Sequence, residues 1–498
     1  MDNYFYKMLP PEEMEQLSYI PTVPEFVEWF TRKWAELPAV SDTVNTYTYA
    51  QMGERIARRR AYLNALGLAQ GDRLAIWERT SIDAVEMFLA ATSAGYVGIL
   101  LPTGLPAPAI VGCCKRFGVS ALAVRDEFSP ALPEQMPCRV IPSSAMADEG
   151  APVAVVDKEQ PAAIFFTGGT TGAPKGAVLA HRALMRGAFN GCFAPGSQLA
   201  NQRLICFLPL SHVFGLIRST LGAFYVGATW FSAEDAKATM GKLPAIKPTM
   251  LVLVPGLCEI LAGLAKMYGP QFFGGELKTI ISGAANVPPR LMKVFEAMGV
   301  RLLAGYGMTE TANLTTGNAD TDTHPDSVGK VYPEQEIKFV DDEIWIRGDN
   351  VFSGYYGDPE ETAKTLTPDG WVRSGDLGRM DEDGFVYITG RIKNLIILPN
   401  GENLSPEEIE GPFYKSPTVR DCLVSESEID GEPVLAIEIL PNMPAFEGKS
   451  WDEVTAHFEQ LVKDINATLP STHRIRKVSV RKEDFKRSGA MKVLRNQN

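Results

Sequence analysis

One stretch limits the folds open to this chain more than any other. An apolar run, Ala162 to Phe166, breaks at once into Thr167-Gly168-Gly169-Thr170-Thr171-Gly172, followed by Ala173-Pro174-Lys175-Gly176. The run reads as a buried strand. Four glycines within residues 168–176 remove Cβ atoms, so the backbone can take positive φ and come close to a ligand. Successive N–H groups in such a turn form an anion-binding nest. The hydroxyls of Thr167, Thr170 and Thr171 add donors, and Lys175 adds a movable positive charge. The stretch is a grip for phosphate. It departs from the Walker pattern, in which Gly, Lys and Ser/Thr are adjacent; here Ala173-Pro174 separates Gly172 from Lys175.

The chain before and after the loop supplies a sheet to carry it. LAIWE (74–78), GYVGILLP (95–102), VSALAV (119–124), LICFLPL (204–210), LVLVP (251–255) and LKTIISG (277–283) read as strands. Between them lie helical patterns. Thr48 to Gln51 is a capping box that opens a helix with Met52, Ile56, Leu63 and Leu66 on one side and Gly67 as a stop. Ala84–Ala94, Ile110–Phe117 and Leu257–Met267 follow, then Leu291, Val294, Phe295 and Met298 at helical spacing. This alternation predicts an α/β fold of mostly parallel sheets with crossover helices.

Near residue 330 the pattern changes to short alternating segments, EIKFV, EIWIRG, WVRSGD and GFVYITG, with turn signals at Asp341-Asp342 and Asp383-Gly384. It predicts antiparallel sheet over about 325–391, a small β-barrel appended to the large domain. After Arg391-Ile392-Lys393-Asn394 the chain restarts as a compact α+β unit with helices opening at Ser405 and Ser450. The expected division is 1–391 and 392–498, the second unit a small C-terminal domain on a hinge.

Composition narrows the function. A net charge of −12 leaves no general basic footprint for nucleic acid, so a phosphate ligand must meet positive charge gathered locally. Seven cysteines, an odd number without zinc-site spacing, predict free thiols in a reducing, cytoplasmic setting. The longest apolar stretch, Ala84 to Leu101, is interrupted by Glu86 and Gly95, so no membrane span is expected. The N-terminus is acidic and polar, unlike a secretory signal.

Four further segments carry chemistry. PLSHVFG (209–215) puts His212 at the end of a strand, where α/β sheets bind ligands. In GYGMTET (305–311), Tyr306 offers a stacking face, Thr309 a donor to phosphate and Glu310 a hard oxygen for Mg²⁺. In RSGDLG (373–378), Asp376 can accept both hydroxyls of a ribose. NGENLSPEEIE (400–410) reads as a helix start, with Ser405 as N-cap, Pro406 first and Glu408 third, rather than as a metal site.

In this order the segments resemble the adenylate-forming superfamily of acyl-CoA synthetases, aryl-CoA ligases, luciferases and adenylation domains, most like a stand-alone AMP-forming acyl-CoA synthetase. The family usually has Ser where this chain has Gly168. KRSGAMKVLR (486–495) resembles its terminal signature through Arg487, Ser488 and Lys492, with Met491 in place of glycine. The resemblance implies ATP, Mg²⁺ and coenzyme A, and a two-step reaction. A carboxylic acid attacks the α-phosphate to give an acyl-adenylate and pyrophosphate; a thiol then releases AMP. It gives catalytic roles to Lys492, Glu310, Thr309 and His212, and ATP-binding roles to residues 167–172 and Lys175. Gly283, Ala284 and Ala285 would flank adenine, Tyr306 would stack, Asp376 and Arg391 would hold ribose or phosphate, and Lys393 would be the hinge. His212, Phe214, Gly283, Gly305 and Met308 imply a mainly apolar acid. A carrier-protein phosphopantetheine is the alternative acceptor. Two other classes stand beside this one: a P-loop-like kinase or NTPase, which would release ADP, and a catalytically weak nucleotide-binding regulator, for which Met491 speaks.

Overall fold

The structure is a computed structural model that describes residue 4 and residues 9–167, 175–194, 197–398, 402–430, 432–487 and 493–495. Two sheets dominate the first four-fifths of the chain. A seven-stranded sheet is parallel through Pro161–Thr167, Val97–Leu100, Arg73–Trp77, Val119–Val124 and Arg139–Pro142. A nine-stranded sheet has a parallel centre built from Pro38–Ser41, Thr229–Ser232, Arg203–Cys206, Met250–Leu253, Thr279–Ser282 and Arg301–Met308.

Alternation along the strands decides what each face touches. Leu74, Ile76, Leu204, Cys206, Met250 and Val252 turn into one shared core. Ile205, Leu251, Leu253 and Ile280 turn to the opposite side, against the helices Pro255–Tyr268 and Pro289–Glu296. Ala75, Trp77 and Ile99 meet the helix Ala107–Arg116 on the outer face of the other sheet. Between the sheets lie the helices Ile82–Ser93 and His181–Asn190. Every residue of Ile82–Ser93 except the half-exposed Asp83 is buried, as expected of a helix that is apolar almost all round. Its one carboxylate on the buried face, Glu86, is held by Arg55 at 2.6 Å and Arg59 at 3.0 Å.

The segment expected to form a small barrel is instead a four-stranded antiparallel sheet in the order Gln335–Val340, Glu343–Gly348, Val372–Met380, Val386–Arg391. Four strands are too few to close by themselves around filled side chains; the last is bridged at Val386 to Gly329, with Val328 N donating to Val386 O and Val386 N to Gly329 O, each at 2.9 Å. Between its second and third strands the chain leaves this sheet altogether. Gly354-Tyr355 pairs with Ala177-Val178 as an edge of the seven-stranded sheet, before the helix Pro359–Thr365 leads back.

The C-terminal part has its own core around Ile409, Phe413, Val424, Ile437, Ile439, Phe458 and Val462. It consists of a three-stranded sheet, Val419–Ile429, Glu432–Pro441 and Ile475–Val480, with helices Pro406–Tyr414 and Trp451–Asn466. The boxes at Thr48 and Ser450 are present with both reciprocal bonds. Ser405 stands at its helix start without a side-chain cap. Its Oγ donates instead to Thr389 O at 2.8 Å and to Glu407 Oε2 at 3.0 Å, because the last strand of the four-stranded sheet offers a nearer acceptor. All seven cysteines are free thiols. Among the described residues, no helix is long and apolar enough to cross a membrane.

Candidate active site

The glycine-rich stretch joins two antiparallel strands, Pro161–Thr167 and Lys175–Ala180, with Thr167 opposite Lys175 on the last described rung. A Walker loop runs from a strand into a helix; this one returns as a strand, which removes the P-loop kinase fold. Gly168, Gly169, Thr170, Thr171 and Gly172 lie outside the described residues, as do Ser488, Met491 and Lys492.

Lys175 leads into a compact charged cluster. Its Nζ pairs with Glu361 and lies 5.2 Å from the centre of the Tyr355 ring. The Tyr355 hydroxyl donates to Glu310 Oε1 at 2.7 Å. Glu310 is only 6% exposed, on the short turn Thr309–Thr311 that ends the strand Arg301–Met308. Burial pushes its carboxyl above the usual carboxylate range, while Tyr355, Lys175 and Arg391 pull the other way. Thr309 is half-buried beside it.

The splice at 352–356 fixes this geometry from the backbone. Phe352 N donates to Glu310 O at 2.9 Å, Ser353 N to Val178 O at 2.8 Å and Tyr356 N to Gly176 O at 2.8 Å. The foot of the phosphate hairpin and the Glu310 turn are therefore tied to the same five residues. Sequence reasoning missed Tyr355 and Glu361. The only signal was an aromatic pair, Tyr355-Tyr356, followed by an acidic helix start.

A second cluster stands on the four-stranded sheet. Asp376 is inside the continuous strand Val372–Met380, not on a turn after it, and is 2% exposed. Tyr306 Oη donates to Asp376 Oδ2 at 2.7 Å, and Arg391 Nε pairs with Oδ1 at 2.5 Å. Tyr306, Asp376 and Arg391, distant in sequence, thus meet in one cluster. Lys393 follows on an exposed turn, Ile392–Asn394.

Gly283 and Gly305 form a floor next to them. A Cβ on Gly283 would lie 3.3 Å from Gly305 O, 3.4 Å from Phe214 Cζ and 3.5 Å from Leu314 Cδ2, so glycine leaves a shallow space there. Ala284 takes φ +67°, a left-handed turn that non-glycine residues rarely adopt and that recurs at functional sites. Ala285 is exposed. His212 is half-buried; its Nδ1 accepts from Phe214 N at 3.2 Å. Directly after it, Phe214–Leu221 winds as a π-helix, a form concentrated at functional sites.

Residues 27–356 match the family model for the AMP-binding enzyme, and residues 393–498 match that of the AMP-binding enzyme C-terminal domain. The chain belongs to the AMP-binding enzyme family. The family assignment agrees with the whole architecture: the structure superposes on ATP-bound MatB from Rhodopseudomonas palustris with a TM-score of 0.82, at 25% identity over 95% of this chain and 97% of that one. Among curated relatives, the indoleacetate–CoA ligase of Aromatoleum aromaticum is 34% identical over 62% of this chain. The long-chain-fatty-acid–CoA ligase FadD15 of Mycobacterium bovis is 28% identical over 68% of this chain. The matches span 61% and 66% of the length of those two relatives.

Proposed function

We propose that this family member is an ATP-dependent carboxylic acid–CoA ligase that forms an acyl-adenylate and pyrophosphate, then an acyl-CoA thioester and AMP. One observation carries the reading. The phosphate-hairpin lysine, Lys175, and the buried Glu310 meet on Tyr355, next to the Tyr306–Asp376–Arg391 group. A triphosphate laid across these residues has its ribose end at Asp376 and its β- and γ-phosphates at the 167–176 hairpin.

The chemistry brings two anions together, so the site must neutralise charge at the α-phosphate. Lys175 would exchange Glu361 for phosphate oxygens. Glu310 fits Mg²⁺: it is a single hard carboxylate with one oxygen already oriented by Tyr355, and no cluster of three or more metal-ligating side chains occurs among the described residues. That suits an ion completed by substrate phosphates and water, which when bound offsets phosphate charge. Asp376 orients the ribose, and Tyr306 presents its ring to the base. Lys492 would bridge the carboxylate and the α-phosphate. After adenylation the unit 392–498 would turn about Lys393, withdrawing Lys492 and admitting the thiol. Seven unbridged cysteines support a reducing, cytoplasmic setting, and none is needed as nucleophile.

The test is pyrophosphate release against a broad acid panel with and without CoA, with the thioester read by mass. AMP and a CoA thioester are expected; ADP as product sinks the reading. Lys492→Ala should keep ATP binding and lose hydroxamate formation from acid, ATP and hydroxylamine. A wild-type hydroxamate rate removes Lys492 from the mechanism.

A further inference from the structure

The sequence points to a mainly apolar acid. One buried side chain on the same wall of the site argues otherwise. Phe214 opens the π-helix Phe214–Leu221 and reaches the Gly283–Gly305 floor. In a helix of this winding, residues four to five apart share a face. Arg218 is therefore one turn further in, on the face that reaches the site at Phe214.

Arg218 is 2% exposed and makes no hydrogen bond or ion pair among the described residues. Its Nε and Nη2 are both fully buried and unpartnered. These two atoms form one edge of the guanidinium fork, the edge that pairs side-on with the two oxygens of a carboxylate. The other edge is against backbone: a Cβ on Gly191 would lie 3.3 Å from Nη1. Asn190, the last residue of the neighbouring helix and also 2% exposed, has both amide atoms buried without partners. The groups electrostatically closest to Arg218 are Tyr332 and Cys192, and burial holds both in their neutral forms. Among the described residues no anion pairs with it. Arg186, on the same helix as Asn190, differs: it is stacked 3.7 Å over Tyr19 and pairs with Asp349. A guanidinium does not deprotonate in proteins, and an unpaired one in the interior is strongly disfavoured. The missing anion has to come with the ligand.

We propose that Arg218 is a specificity-determining residue that receives a second carboxylate at the far end of the substrate, so that the acid activated is a dicarboxylic acid. The inference rests on the ligase reading above. The carboxylate to be adenylated stays at the phosphate side, and the other enters the π-helix wall, paired side-on with Nε and Nη2, with the Asn190 amide as a further donor.

The experiment compares length-matched pairs, hexanoate with adipate, octanoate with suberate and benzoate with terephthalate, by pyrophosphate release in the presence of CoA. At least one dicarboxylate should have a higher kcat/KM than its partner. In Arg218→Leu the dicarboxylate-to-monocarboxylate ratio should fall about 10- to 150-fold, the loss of one charge-assisted contact. Preference for the monocarboxylate in every pair, or an unchanged ratio in the variant, overturns the proposal while leaving the ligase reading intact. No turnover of any acid overturns both. A wild-type measurement covers a variant that does not fold: with a non-hydrolysable ATP analogue, the dicarboxylate should raise the thermal midpoint more than its partner, and an equal or smaller rise counts against it.

Discussion

Arg59 and Arg218 are the same residue type at almost the same depth, 0% and 2% exposed, and the interior treats them in opposite ways. Arg59 is saturated. Its Nε meets Glu86 at 3.0 Å, Nη1 donates to Ser143 O at 2.5 Å and Nη2 pairs with Asp83. Arg218 has two guanidinium nitrogens, Nε and Nη2, without a partner among the described residues. A buried charge that is answered within the chain belongs to the scaffold, tying the helix Tyr49–Ala65 to Ile82–Ser93. A buried charge left unanswered is where the proposal above puts a ligand. Burial alone does not separate the two; the list of partners does.

The comparison can be broken at several points. The largest effect is expected at Glu86. Glu86→Leu leaves Arg59 and Arg55 facing an apolar side chain and should cost about 3–5 kcal/mol in urea unfolding followed by tryptophan fluorescence. A loss below about 1 kcal/mol would mean that the Arg59 network is not a scaffold. Arg218→Met should behave in the opposite sense, neutral or stabilising by about 1–4 kcal/mol in the same assay. A loss as large as that of Glu86→Leu would show that Arg218 has a structural partner.

Asp376 stands between these extremes, buried and paired, yet paired by a half-exposed side chain, Arg391. Asp376→Asn should lower kcat/KM for ATP about 10- to 150-fold, about 1.5–3 kcal/mol of binding, with little change in the unfolding midpoint. If stability falls and ATP kinetics do not, Asp376 joins the class of Arg59.

The smallest effect is a slope. Glu410 accepts from Arg495 at 2.6 Å and from Val424 N at 2.7 Å, but burial outweighs both and raises its pKa from the ordinary 4.5 to about 7. The native state then holds the proton longer than the unfolded chain. The stabilisation is complete below about pH 4.5 and is lost as pH rises through about 7. Wild-type stability should therefore fall relative to Glu410→Gln between those values, and parallel curves would remove the effect.

Much of this was legible in the sequence. Strand and helix periodicity placed the two large sheets, and the boxes at Thr48 and Ser450 formed as their spacing demanded. The cluster Tyr306, Asp376 and Arg391 could be named because each stands in a distinctive short motif. Tyr355, Glu361 and Arg218 could not. Tyr355 and Glu361 act through contacts with residues more than 40 positions away, which no local pattern encodes. Arg218 is inside an apolar run, LIRSTLGAF, where a lone arginine gives no sign of whether a carboxylate faces it. Ser405 illustrates the reverse limit. Its capping signal is sound, but Thr389 O arrives from another sheet and wins the hydroxyl.

The two-residue pairing of Gly354-Tyr355 with Ala177-Val178 has a consequence for anyone recombining this chain with its relatives. The antiparallel sheet is not a detachable cassette. A crossover placed inside 349–356 would graft one parent's support for the Glu310 turn onto the other parent's 161–180 hairpin, through the bonds at Phe352, Ser353 and Tyr356. Hybrids that inherit 175–180, 309–311 and 352–356 from a single parent keep that joint intact; those that split them inherit a misaligned centre however well each half folds.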